Sequence, residues 1–142
     1  MGAVFKHLVL LSVLLLGHGF SFAEPVVVAG ARSQIEHMTH EEVINIYMGR
    51  YRRLPNGLPA TPLDQIETTT RTEFYRRLIN KNLSEVNAYW SRLVFSGKAS
   101  PPETVPSSKD VAKLLAGSPN TIAYVDRREV DPRLKIIFEF PD

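Results

Sequence analysis

The stretch IYMGRYRRLPNG, residues 46–57, decides how this chain is read. Taken whole, it is a basic patch with three arginines in four residues. Taken in two pieces, it is a corner. IYMG ends an amphipathic helix, with Gly49 placed where a left-handed backbone is needed, and Pro55-Asn56-Gly57 is turn chemistry, because proline presets φ and Asn-Gly tolerates positive φ. The residues upstream favour the corner. In THEEVINIYMG, Thr39 and Glu42 form a capping box, and Val43, Ile46 and Tyr47 share one face at helical spacing.

The rest of the chain parses outward from that helix. PVVVAG, Pro25–Gly30, is a β-branched run that reads as a buried strand. ATPLDQI, residues 60–66, reads as a short strand entering a loop. Thr70 and Glu73 suggest a second capping box, ahead of a helix whose apolar face is Phe74, Tyr75, Leu78 and Ile79. Ser84 is placed to cap a third helix, lined by Val86, Tyr89, Trp90, Leu93 and Val94 and ended by Gly97. KASPPETVPSS reads as a proline-rich loop. Ser107 or Ser108 then caps a fourth helix carrying Val111, Leu114 and Leu115. TIAYV and LKIIFEF are strands, close enough in sequence to pair antiparallel. The order strand, helix, short strand, three helices, strand, strand makes an α/β domain with a small sheet covered by helices.

Residues 1–23 read as a secretory leader. Lys6 supplies the positive start, residues 8–16 are an apolar run too short to span a bilayer, and Ser21-Phe22-Ala23 offers a cleavage site before Glu24. Residues 24–142 are then one domain. The leader carries one lysine and no acid, so its removal lowers the net charge of +2 by one. A near-neutral exported domain is a poor nucleic-acid binder. The chain has no cysteine, so its core alone must hold it, which suits a periplasm.

In their order and spacing, VVVAG, THEEVINIYMGRYRRLPNGLPATPLD, TEFYRRLI, VNAYWSRLVFSG and SPNTIAYV resemble the periplasmic phosphate-binding proteins of ABC importers. More closely, they resemble the short single-domain proteins of the phosphate ABC transporter substrate-binding protein-like family. The resemblance implies a periplasmic-binding-protein-like single lobe, with a small mixed sheet flanked by helices. It also implies a module that takes phosphate or a related oxyanion for an ABC importer. The sequence has no Gly-x-Ser-x-Gly, no cysteine nucleophile, no His-Glu-x-x-His and no phosphate loop, so no enzymatic activity and no cofactor are assigned. The two-lobed members grip ligand in a cleft between lobes, and the glycine-serine-rich loop of their first lobe has no counterpart here. In the retained lobe an arginine, an acid and Ser-Gly-Thr open a helix. The matching stretch is Asp64-Gln65-Ile66-Glu67-Thr68-Thr69-Thr70, which keeps hydroxyls but lacks the arginine and the glycine, and Glu67 would repel an anion.

The candidate ligand residues are therefore Thr68, Thr69, Thr70 and Arg71, at a helix N-terminus whose amides and dipole suit an anion. The simpler role for Thr70 is a helix cap. Arg50, Arg52 and Arg53 are candidates for docking a partner, although charge runs are most often solvated faces. His37 and His40, flanked by acids, are spaced for a polar helix start rather than a metal, and no metal site is assigned. The alternative function is a periplasmic protein-interaction or sensor-accessory domain that has lost its ligand. The candidate partners are an oxyanion, a membrane protein or importer, and a second copy of the chain, which could rebuild a cleft.

Overall fold

The computed structural model describes residues 22–66 and 68–142. All of the leader assigned to residues 1–23 except Phe22 and Ala23 lies outside the described residues, as does Glu67.

Strand β1 (Pro25–Gly30) is followed by helix α1 (His40–Tyr47), strand β2 (Thr61–Gln65), helices α2 (Thr69–Ile79) and α3 (Leu83–Phe95), strand β3 (Glu103–Val105), helix α4 (Val111–Ala116), and strands β4 (Thr121–Asp126) and β5 (Leu134–Glu139). Single 3-10 turns occupy Ser108–Asp110 and Arg127–Glu129. The strands form one mixed sheet in the order β3-β2-β4-β1-β5. β2 runs parallel to β3 and β4, and β1 runs antiparallel to β4 and β5.

The expected direct pairing of the last two strands does not occur. β1 lies between them, with Val27 opposite Tyr124 on one side and Phe138 on the other. β1 supplies an uninterrupted apolar run and is buried along its whole length, as suits a strand covered on both faces. Side chains alternate between two cores. Val27, Ala29, Ile122 and Tyr124 meet α1, α2 and α3 on one face. Val26, Val28, Ala123 and Val125 meet α4 on the other. A Cβ at Gly30 would lie 2.6 Å from the Leu115 carbonyl oxygen, so the glycine lets β1 and α4 approach.

The local signals that held are physical. Thr39 and Glu42 form the expected capping box on α1. Gly49 has φ of 73°, and its missing side chain leaves room for the Trp90 ring, since a Cβ there would stand 2.8 Å from Trp90 Cη2. The turn after it is real. The Leu54 amide donates to the Leu58 carbonyl (2.8 Å), the Gly57 amide to the Leu54 carbonyl (2.9 Å), and Arg53 Nη1 to the Gly57 carbonyl (3.0 Å).

Other boundaries moved. α2 is capped by Thr68, whose hydroxyl accepts from the Arg71 amide at 3.0 Å; Thr70 lies inside the helix and is buried. α3 is capped by Asn82 with Glu85, two residues before the expected Ser84. The proline-rich loop contains β3, which pairs Leu63 with Glu103. Val94 and Leu114, read as core, are exposed.

With Thr68 as the cap, Glu73 is freed from capping and accepts from Arg77 Nε at 2.8 Å and from Arg76. The hydrogen bond from Arg76 is the main reason its carboxyl is held down at about 2, against 4.5 for the free side chain. The folded-state value lies below the unfolded one, so the stabilisation is full above about pH 4.5 and is lost as pH falls towards 2. Glu73→Gln is expected to flatten the stability–pH curve in that window. At neutral pH it should cost at most about 1 kcal/mol, because the arginines are solvated. Urea titrations at pH 7, 4.5 and 3 read this, and parallel curves for the two proteins would refute it.

Candidate functional site

β2 ends at Gln65, and α2 begins four residues later. This junction holds all four candidate ligand residues and, beneath them, a polar cluster that the sequence did not reveal. Its centre is Asp64, the penultimate residue of β2, which is 3% exposed. Oδ1 accepts from the Tyr124 hydroxyl and from the Gln65 amide (2.8 Å); Oδ2 accepts from the Tyr75 hydroxyl (2.8 Å). Arg71 Nε approaches both oxygens, at 3.3 and 3.4 Å. Four donor groups thus converge on one carboxylate, an arrangement that compensates a buried charge.

Burial pushes the Tyr75 and Tyr124 hydroxyls well above their ordinary range, and the negative charge of Asp64 pushes them further. Both tyrosines therefore stay protonated and act as donors. Tyr47, raised for the same reasons, donates to the Leu63 carbonyl at 2.9 Å. Phe74 fills the space between these rings. It stacks on Tyr124 at 3.9 Å and meets Tyr47 edge-on at 4.9 Å.

The second layer is neutral. Gln65 Nε2 donates to the Ser108 hydroxyl and to the Tyr124 carbonyl, both at 3.0 Å, and Gln65 Oε1 accepts from the Thr68 hydroxyl at 2.8 Å. The Asp126 amide also donates to Ser108 Oγ, at 3.0 Å. Strands β2 and β4 and the turn before α4 are thereby tied to the start of α2.

The candidate ligand residues thus have unequal surroundings. Thr68 is occupied as cap and as donor to Gln65. Thr69 is exposed in the first turn, and Thr70 is buried beside it. Arg71 is buried, with Nε on Asp64 and Nη2 donating to Asn87 Oδ1 at 3.3 Å. Its positive charge is met by a carboxylate of the same chain.

The three arginines of residues 46–57 do not form one patch. Arg50 Nη1 donates to Asn45 Oδ1 at 3.4 Å, Arg53 braces its own turn, and Arg52 lines a separate cleft beside Trp90. His40 Nε2 lies 2.9 Å from the Leu78 carbonyl, and the ring packs against Phe138 and Phe140. Among the described residues, no group of three His, Asp or Glu side chains converges as metal ligands.

No family model matches the chain, and no curated protein matches it by sequence. Solved structures do. An ABC-type phosphate transport receptor from Vibrio cholerae superposes with a TM-score of 0.62 at 14% identity, over 81% of this chain and 45% of its own. A putative phosphate ABC transporter substrate-binding protein from Clostridium perfringens, solved with bound phosphate, gives 0.63 at 14% identity, over 81% and 44%. The fold is that of a single periplasmic-binding-protein-type lobe. PstS from Borrelia burgdorferi agrees, with a TM-score of 0.59 at 13% identity, over 84% of this chain and 49% of that one. The lobe spans less than half the length of the receptors it matches. Among the described residues, no helix of the lobe is long and apolar enough to cross a membrane.

Proposed function

We propose that this lobe is an exported solute-binding-like module that takes phosphate or a related oxyanion on behalf of an ABC importer. The observation that carries the reading is its fold-level likeness to an ABC-type phosphate transport receptor and to a putative phosphate ABC transporter substrate-binding protein solved with phosphate bound. The proposed contacts are the Thr69 hydroxyl, the first-turn amides of α2, and Thr70 and Arg71 behind them, with Thr68 fixing the turn. A helix start offers unpaired N–H groups and the positive end of the dipole to such an anion. A single lobe encloses little of a ligand, and tight binders bury most of theirs. Binding by one copy is therefore weak, and a second copy or a membrane partner facing the α2 N-terminus would complete the enclosure. Arg50, Arg52 and Arg53, ahead of β2, are the proposed docking residues for a membrane partner.

The neutralisation of Arg71 by Asp64 supports a second reading, in which the lobe serves as a periplasmic interaction or sensor-accessory domain and binds no solute. Calorimetric titration with phosphate and with sulfate, alongside size-exclusion chromatography, separates the two. The first reading expects saturable heat with phosphate, weakened at least about fivefold by Thr69→Ala, which removes one hydroxyl contact and leaves the Thr68 cap intact. A folded protein that gives no heat would remove the solute-binding reading. Unchanged affinity in the variant would take Thr69 off the site.

A further inference from the structure

Residues 46–57 contribute to a place other than the α2 N-terminus. A cleft of about 300 Å3 lies between the end of α1, the start of β2, α3 and the segment leading into β3. Ile46, Gly49, Tyr51 and Arg52 line it from one side and Trp90 from α3, with Pro101 and Pro102 in the segment ahead of β3. Three features of this cleft point to the same kind of occupant.

The first is Trp90. It lines the cleft and is 6% exposed, and among the described residues its Nε1–H is a buried donor with no hydrogen-bond partner. Buried polar groups are nearly always paired, and one that is not calls for a cause, such as a missing acceptor. The second is Arg52. It lines the same cleft, and its guanidinium makes no salt bridge or side-chain hydrogen bond among the described residues, unlike those of Arg50 and Arg53. The third is Tyr51, a large aromatic 62% exposed, which shares the lining of the cleft with Pro101 and Pro102. An N–H donor, a cation and an aromatic wall together match an anionic acceptor that carries a flat apolar body. Glu103 is the one acid among the lining residues and disfavours a ligand with a second negative charge.

We propose that this cleft is a binding site for a small organic monocarboxylate with an aromatic or similarly flat body. One carboxylate oxygen accepts from Trp90 Nε1–H, Arg52 neutralises the charge, and the body lies between Tyr51 and the two prolines. Trp90 Nε1 is buried, so residues 99–102, which have no regular secondary structure, must shift to admit the acceptor. The inference does not depend on oxyanion binding at α2.

Trp90 is the only tryptophan of the chain, so its indole N–H gives a single assigned proton–nitrogen NMR resonance. Titration of the 15N-labelled protein with benzoate is expected to move that resonance downfield along a saturating curve. Arg52→Ala, an exposed change, is expected to raise the half-saturation concentration at least about tenfold, as loss of a charge-assisted contact does. Arg53→Ala should leave it unchanged. Benzyl alcohol, with the same ring and no charge, should bind at least about tenfold more weakly. Two results overturn the site: an indole resonance that stays still throughout the benzoate titration, or one that moves equally in wild type and Arg52→Ala. Equal response to benzyl alcohol would overturn carboxylate recognition. Phosphate, titrated separately, should not move this resonance, which keeps the outcome distinct from that at α2.

Discussion

Asp64→Ala is expected to lower the free energy of unfolding by about 3–5 kcal/mol, the usual cost of removing one partner from a buried ion pair. The loss is large because the carboxylate holds several groups at once. Without it the Arg71 guanidinium, 8% exposed, keeps its charge and has no counter-ion. The Tyr75 and Tyr124 hydroxyls also lose their acceptor, and a buried unpaired donor costs about 1–3 kcal/mol in its own right. Asp64→Asn keeps one acceptor oxygen and should cost less. Adding Arg71→Met to Asp64→Ala should restore part of the stability, because the uncompensated charge goes with it. Urea unfolding of the four proteins measures this. A loss below about 1 kcal/mol for Asp64→Ala would mean that water or a rearranged side chain replaces the carboxylate, and the cluster would lose its place as the anchor of the β2–α2 junction.

Phe74→Ala is expected to cost a similar amount, about 3–5 kcal/mol, by a different route. The ring is fully buried and touches Tyr47, Tyr75, Tyr124 and Phe140, so its removal leaves a cavity bounded by aromatic groups that cannot easily collapse. Loss of the offset stack on Tyr124 adds about 0.5–1.5 kcal/mol to the area effect. Phe74→Leu should recover more than half. The near-ultraviolet circular dichroism of the tyrosines should weaken in Phe74→Ala even under conditions where the protein stays folded. A full-strength signal with unchanged stability would show that the three tyrosines are held by their hydroxyls alone.

These two residues show what the sequence made legible. Phe74 was placed on the buried face of its helix by spacing alone, and its neighbour Tyr75 likewise. Asp64 gave no such sign. It sits in a short strand among polar residues, and its partners Tyr75 and Tyr124 are 11 and 60 positions away. The only hint was that two tyrosines on buried faces must find acceptors for their hydroxyls.

Capping errors have a related cause. Three consecutive threonines offer three registers for one helix start, and burial of Thr70 and Phe74 chose among them. Asn82 and Ser84 are both competent caps, and the reciprocal bond from Glu85 decided for Asn82. β3 escaped notice because prolines flank a strand of only three residues. Parallel pairing to β2 is a tertiary event with no local pattern. At the candidate site, Thr69 and Arg71 are proposed from resemblance and helix-start chemistry. The engagement of Arg71 with Asp64, and the unpartnered indole of Trp90, belong to the packed molecule.

The place of β1 governs when the molecule can form. Among the described residues its sheet partners are β4 and β5, nearly a hundred residues further along the chain. Until they are synthesised, Val26, Val27 and Val28 have no strand to pair with and both cores lack a wall. Such long-range closure makes for slow folding, since the chain must surrender loop entropy before contacts repay it. A nascent chain of this sequence therefore cannot close its sheet until synthesis reaches β5.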